Sequence, residues 1–281
     1  MTEFSIVTFN IWNVWRITKK AWNRDDLAAE VLRELNGDVV CLQEFDGPFR
    51  HEEQNLPDML SDIYAEAVPE NVPADDNWNP IFYRRERFRV ADAGHYVYSV
   101  GTEYTYRETG RSHFRTITWA VLEEKGSGDK RIILNTHYDT NVENHKSESD
   151  ELIALGEDLR KQWNAPLLVT GDYNCRNYGI AVQNMLSHGF ADTCLLATEK
   201  ECHAGCHPYP ILNEEALVYD VYDDHFYAET YEEAIDHVMI LGEAEVTYYR
   251  TVINEKTLLI SDHSPVIVRI RFPNNGSKQQ K

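Results

Sequence analysis

Basic residues are scarce in this chain. Its 281 residues include 27 lysines and arginines against 47 aspartates and glutamates, a formal net charge of −20. Affinity for a nucleic-acid backbone is largely electrostatic and needs basic surface. Duplex nucleic acid is therefore disfavoured as a partner, although a local basic groove is compatible with the sequence. The same acidity suits a protein that gathers divalent cations, or one that is merely well solvated. No apolar run reaches the roughly 18 residues of a membrane-spanning helix, so no spanning segment is expected. The opening MTEFSIVTFN lacks the basic region, apolar stretch and small-residue cleavage site of a signal peptide. Cysteines are few and odd in number, five in all, and are expected to be mostly reduced in a cytoplasmic protein. Internal repeats and low-complexity linkers are also missing, and nothing points to a protein partner.

What is present is an alternation of strand-like and helix-like stretches, long enough for a sizeable core. FSIVTFNIW reads as a strand. In RDDLAAEVLRELNG, Leu27, Val31, Leu32 and Leu35 share one helical face, acidic residues open it and Gly37 can close it. DVVCLQEF and APLLVTGDYN are short apolar runs, as in strands buried on both faces. NPIFYRRERFRVADAGHYVYS reads as two short strands around a turn, and FRTITWAVLEE with KRIILNTHYD as a hairpin. SESDELIALGEDLRKQW and GIAVQNMLSHG read as helices, and EAIDHVMIL, EVTYYRTVI and SPVIVRIRF as closing strands. About ten strands with at least three helices favour two packed sheets with helices outside. One domain over residues 1–273 and a frayed polar tail over 274–281 are expected.

Polar residues recur where the buried strands end. Asn10 follows IVTF, Glu44 follows VVCLQ, and His137 and Asp139 close IILNTHYD. Asp172 and Asn174 follow LLVTG, Asp236 and His237 follow EAI, and Asp262 and His263 precede SPVIV. One polar residue at a strand end is usually a turn residue. Six such places drawn from Asn, Asp, Glu and His suggest one cleft served by rigid strands.

In order and spacing, TFNIWN, CLQEF, NTHYD, GDYNCRN, IDHVMI and SDHSPV resemble the signature blocks of the endonuclease/exonuclease/phosphatase superfamily. The resemblance spans nearly the whole chain. Two further stretches resemble its bacterial branch, whose histidine block usually reads T-H-L-D-H where this chain has THYDT. The resemblance implies a four-layer α/β sandwich of the DNase I-like kind, with two mixed sheets face to face. It implies hydrolysis of a phosphate ester with Mg²⁺ or Mn²⁺, hard cations that take oxygen ligands. Carried over position by position, Glu44 would be the principal metal ligand, with Asn10 beside it and Asp262 near it. Asp172 would orient or deprotonate the attacking water, and Asn174 would hold the phosphate and support Asp172. His137 would donate to a phosphate oxygen. His263 would face the scissile phosphate, with Asp236 on its other ring nitrogen. Whether His263 or Asp172 takes the proton stays open at this level.

Other signals are thinner. Arg111, His113 or Arg115 would contact the phosphate, or would be ordinary exposed strand residues. Asp139 and Asn141 would bind substrate or shape their loop. CHAGCH at 202–207 invites a zinc reading, but paired clusters at ligand spacing are missing and Cys194 is the only additional candidate, so a loop lining the site is favoured. The expected function is a phosphodiesterase or phosphatase acting on a small or single-stranded ester. The alternatives are a DNA or RNA nuclease and, with Glu44 and His263 both present, the less favoured inactive binding protein.

Overall fold

The computed structural model describes residues 3–12, 24–45, 50–51, 54–68, 79–100, 104–105, 112–206, 211–213, 218–220 and 230–273. Arg111, the HPYP stretch at 207–210, most of the tyrosine-rich insert that follows and the tail 274–281 lie outside them. The main strands are β1 (Glu3–Asn10), β2 (Val39–Gln43), β3 (Tyr64–Glu66), β4 (Ile81–Arg84), β5 (Phe88–Val97), β6 (Thr116–Glu124) and β7 (Lys130–His137). They continue with β8 (Leu167–Asp172), β9 (Ala191–Asp192), β10 (Glu199–Glu201), β11 (Asp236–Leu241), β12 (Glu245–Thr251) and β13 (Val266–Arg271). The main helices are α1 (Arg24–Leu35), α2 (His145–Trp163), α3 (Ile180–Ser187) and α4 (Glu255–Ile260).

One sheet has the order β10-β12-β13-β1-β2-β4-β3, the other β9-β11-β8-β7-β6-β5. Each is mixed, with a parallel pair at its centre: β1 with β2, and β7 with β8. The stretch read as two strands around a turn does form β4 and β5, but the turn carries the chain from one sheet to the other. The hairpin β6–β7 forms as expected.

Three apolar layers hold the sandwich. Phe4, Ile6, Val39, Ile133, Leu168, Val238 and Val268 belong to the core between the sheets. Leu32, Val40 and Ile260 belong to the layer under α1 and α4, and Leu134, Leu152, Val169 and Met185 to the layer under α2 and α3. Each such side chain contributes about 1.5–3 kcal/mol on burial. The architecture is the four-layer α/β sandwich expected. Among the described residues no helix is long and apolar enough to cross a membrane. Cys41, Cys175 and Cys206 are free, in keeping with mostly reduced cysteines, while Cys194 and Cys202 are joined in a disulfide.

Strand alternation sets the chemistry of the inner faces. Every second residue of a strand faces the same way. Along β7 the inward series is Ile133, Asn135, His137; along β8 it is Leu168, Thr170, Asp172; along β11, read backwards, Ile240, Val238, Asp236. On the facing sheet it runs Ile6, Thr8, Asn10 and Val39, Cys41, Gln43. The interior thus grades from apolar to polar toward one end. In the polar layer Gln43 Nε2 donates to Asn135 Oδ1 at 2.7 Å and to Thr8 Oγ1 at 3.0 Å. Asn135 Nδ2 donates across the gap to the carbonyls of Leu42 and Pro80, at 2.8 and 3.0 Å. These bonds tie the sheets together just beneath the end where the catalytic candidates sit.

Gly171 fixes the spacing of β7 and β8 there. Its φ is +149°, and a Cβ would lie 2.0 Å from the Thr136 carbonyl oxygen. Nothing flexible can give way, because the clash is with backbone in the partner strand. We expect Gly171→Ala to cost about 3 kcal/mol or more of stability, read from urea unfolding; an unchanged midpoint would refute it.

Candidate active site

The register sets three candidates side by side: His137 is paired with Asp172, and Asp172 with Asp236. On the facing sheet Asn10 pairs with Gln43, so Glu44 leaves the end of β2 one residue later. Thr8 pairs with Val266, which brings the residues ahead of β13 to the same rim. Ser261 fastens them there, its hydroxyl donating to the Asn10 carbonyl at 2.6 Å and accepting from the His263 backbone N–H at 3.1 Å.

The side chains meet around one carboxylate. Asp172 Oδ1 accepts the Asn174 backbone N–H at 2.8 Å, and Oδ2 accepts Asn10 Nδ2 at 3.0 Å from the opposite sheet. His137 Nε2 is 3.5 Å and His263 Nε2 is 3.7 Å from the same Oδ2. The other nitrogen of His263, Nδ1, lies 2.7 Å from Asp236 Oδ2. Glu44 Oε1 accepts Asn10 Nδ2 at 3.1 Å and lies 4.0 Å from His137 Nε2. Glu44 (φ 54°), Asn174 (φ 45°) and Trp12 (φ 54°) adopt left-handed backbone. Asparagine tolerates this region, whereas Glu and Trp hold it at a cost of order 1 kcal/mol.

The two histidines are shifted in opposite directions. Burial opposes charge on His263 most strongly of all, but Asp236, Cys206 and Asp172 together outweigh it, and the imidazole is raised well above its ordinary value. His137 is held well below that value by burial, then by the Arg115 and His263 charges. Burial pushes the Asp172 carboxyl upward, against His263 and the Asn174 and Asn10 donors. Asp262 rises to about 6 through burial, with the His263 charge opposing and the Glu44 charge adding.

Glu44 and Asp262 offer hard carboxylate oxygens whose charges oppose each other at Asp262, and a divalent cation would relieve that repulsion. As placed, Asn10 turns its NH₂ toward Glu44 and Asp172, while its Oδ1 accepts the Trp12 backbone N–H at 2.9 Å. The Asn174 amide is likewise engaged, donating to the Tyr138 carbonyl at 2.9 Å.

The residues first considered as substrate contacts are spread more widely. Arg115 is buried close enough for its charge to act on His137. Asp139 is fully buried and organises its loop, accepting from the Asn141 backbone N–H at 3.0 Å and from Asn144 Nδ2 at 2.9 Å. Asn141 is exposed and accepts the Glu143 N–H at 3.2 Å. Cys206, by contrast, joins the site: its Sγ lies 3.7 Å from His263 Nδ1 and 3.9 Å from Asp236 Oδ2. Burial raises its thiol to about 11, against the pull of His263.

Glu148, at the start of α2, lies behind this cluster. It is fully buried, and its Oε1 accepts the Asp139 backbone N–H at 2.9 Å. Burial lifts its carboxyl to about 7; the Asp139 N–H opposes the rise and the Asp139 charge adds to it. Since the folded value exceeds the unfolded one, the contribution to stability is complete below about 4.5 and is lost as pH rises through about 7. Glu148→Gln keeps the acceptor without the charge. We expect it to be more stable than the native chain at pH 8, by about 3 kcal/mol at most, and equal to it near pH 4. Urea unfolding at the two pH values checks this, and parallel profiles would refute it.

The family model described as "Endonuclease/Exonuclease/phosphatase family" matches residues 7–263. No curated protein matches the chain. A solved endonuclease/exonuclease/phosphatase family protein from Bacteroides thetaiotaomicron superposes with a TM-score of 0.73 at 17% identity, covering 97% of this chain and 98% of that one. The mannosyl-6-phosphatase of the same bacterium gives 0.70 at 18%, covering 96% and 100%. The human Nocturnin catalytic domain, solved with a bound sulfate anion, gives 0.68 at 16%, covering 96% and 95%. At these identities the likeness is one of fold.

Proposed function

We propose that this chain, which belongs to the endonuclease/exonuclease/phosphatase family, hydrolyses a small phosphate ester with a divalent cation, Mg²⁺ or Mn²⁺. Members of that family are generally hydrolases of phosphate esters. The observation that carries the reading is the approach of His137 Nε2 and His263 Nε2 to one Asp172 oxygen, at 3.5 and 3.7 Å. A neutral imidazole, a charged imidazole and a carboxylate of raised proton affinity then face the same small volume.

The charged His263 donates through Nε2 to a phosphate oxygen and stabilises the charge that builds there. Asp236 holds its other nitrogen, which fixes the ring and favours its charge. Asp172 takes the proton of the attacking water through Oδ2, while its Oδ1 stays with the Asn174 N–H. Among the described residues His137 has no partner at Nδ1, so its ring proton belongs on Nε2, which donates to the phosphate. A cation held by Glu44 and Asp262, with Asn10 alongside, supplies Lewis-acid polarisation of the ester when bound.

A net charge of −20 favours a small substrate over a long polyanion. The test is hydrolysis of phosphomonoesters and phosphodiesters with Mg²⁺ or Mn²⁺. Sugar phosphates head the panel, because one fold neighbour is a mannosyl-6-phosphatase; nucleotides, phospholipid head groups and oligonucleotides follow. We expect turnover of a small ester and negligible binding of long duplex DNA at physiological salt. A tight duplex complex with a steep salt dependence would move the assignment to a nuclease. Failure of every ester would overturn it.

A further inference from the structure

We propose that Cys206, His263 and Asp236 form a second metal site, selective for a borderline-soft divalent cation such as Zn²⁺, whose occupation switches the enzyme off. The site lies on the far side of His263 from the substrate volume. Its three ligand atoms, Sγ, Nδ1 and a carboxylate oxygen, all lie within 4.8 Å of one another.

The distances fit a tetrahedral centre. Zinc bonds of about 2.3 Å to sulfur and about 2.0–2.2 Å to nitrogen and oxygen put neighbouring tetrahedral ligands about 3.4–3.6 Å apart. Here sulfur lies 3.7 Å from the ring nitrogen and 3.9 Å from the carboxylate oxygen. Only the nitrogen–oxygen pair, at 2.7 Å, has to open. Asp236 is 2% exposed and, among the described residues, its Oδ1 has no hydrogen-bond partner, so the carboxylate carries unused buried ligand capacity. The thiol is a fixture. Gly205, with φ +85°, turns the chain, and its carbonyl accepts the Ser264 backbone N–H at 2.9 Å. Cys206 then bridges His263 in antiparallel register. Cys206 is also the least buried of the three, which leaves the site a route from solvent.

Sulfur decides which ion binds. Thiolate and imidazole suit zinc, whereas Mg²⁺ takes oxygen. Glu44, Asp262 and Asn10 therefore draw one class of cation and Cys206, His263 and Asp236 another, on either side of one histidine. Binding sends the thiol proton and the His263 ring proton to solvent and replaces the His263–Asp236 hydrogen bond. His263 thereby loses the 2.7 Å contact to Asp236 that orients it. The ion site stands on its own geometry; the inhibition rests on the phosphate-ester reading above.

The experiment uses the full chain and Cys206→Ser, a near-isosteric change, with equal melting temperatures as the control for folding. Equilibrium dialysis against buffered Zn²⁺ in excess Mg²⁺ should give one tight site, weakened about tenfold or more in Cys206→Ser. Co²⁺ loading of the native chain should produce a thiolate-to-metal charge-transfer absorption that the variant lacks. Zn²⁺ should abolish hydrolysis at saturating Mg²⁺, and the variant should need about tenfold more zinc for the same loss. Equal zinc affinity in both proteins, or a thiolate band that survives in Cys206→Ser, overturns the site. A thiolate-bound ion in a chain that hydrolyses no ester leaves the site standing and overturns the functional reading instead.

Discussion

Replacing His263 with alanine is expected to lower turnover by about 10²–10³-fold, or 3–4 kcal/mol, the usual cost of removing an electrostatic donor from a preorganised site. The 2.7 Å contact between His263 Nδ1 and Asp236 Oδ2 makes a second, smaller effect predictable. Asp236→Asn keeps the imidazole but removes the carboxylate that most favours its charge against burial. The ring then loses its proton at lower pH. In the native enzyme the protonated form is expected to persist well above the ordinary histidine range, so the alkaline limb of the rate profile is expected at high pH, where His263 deprotonates. In Asp236→Asn that falling limb shifts to lower pH. Because Asp236 acts through His263, the double variant should be little worse than His263→Ala alone. A kinetic double-mutant cycle at saturating metal, run across pH, reads all three quantities. Fully additive losses, or an Asp236→Asn enzyme with an unshifted limb, would mean that His263 works without Asp236.

The site was legible wherever it depends on strand ends. Asn10, Glu44, His137, Asp172, Asp236 and His263 each close or precede an apolar run, and rigid strands bring such ends to one rim. The inward series Ile133–Asn135–His137 and Leu168–Thr170–Asp172 were also available as alternations, and would have pointed to the polar layer that joins the sheets. Other features were hidden by distance. Cys206 meets Asp236 and His263 from 30 and 57 residues away, so no spacing rule connects them. CHAGCH looked like a weak metal motif because its partners lie on β11 and ahead of β13. Nor does composition show that Cys194 and Cys202 pair, or that the turn after Arg84 changes sheets. The helix Glu255–Ile260 is too short for a periodic signal, although Asn254 and Thr257 form a reciprocal capping box that marks its start. Of the two roles open to Asp139, the structure shows the loop-shaping one. It closes a strand, and its carboxylate accepts from Asn141 and Asn144 in the loop that follows.

Glu44→Gln should lower turnover by about a hundredfold or more and sharply raise the Mg²⁺ concentration needed for what remains, because a metal supplies several kcal/mol of charge stabilisation in such reactions. The substitution is close to isosteric. Glutamine Oε1 can still accept Asn10 Nδ2, which donates to Glu44 at 3.1 Å, and the backbone can keep its φ of 54°. What disappears is a carboxylate charge that adds to burial in raising Asp262 to about 6. Without a cation the variant should therefore be as stable as the native chain, or slightly more so. With a cation the order should reverse, since an ion that binds only the folded state stabilises it by mass action. Melting in a Mg²⁺ series gives a readout independent of catalysis: the native midpoint should climb with metal and the variant's should stay flat. A variant whose midpoint and rate follow Mg²⁺ as the native protein's do would remove Glu44 from the metal site and leave Asp262 as its principal carboxylate.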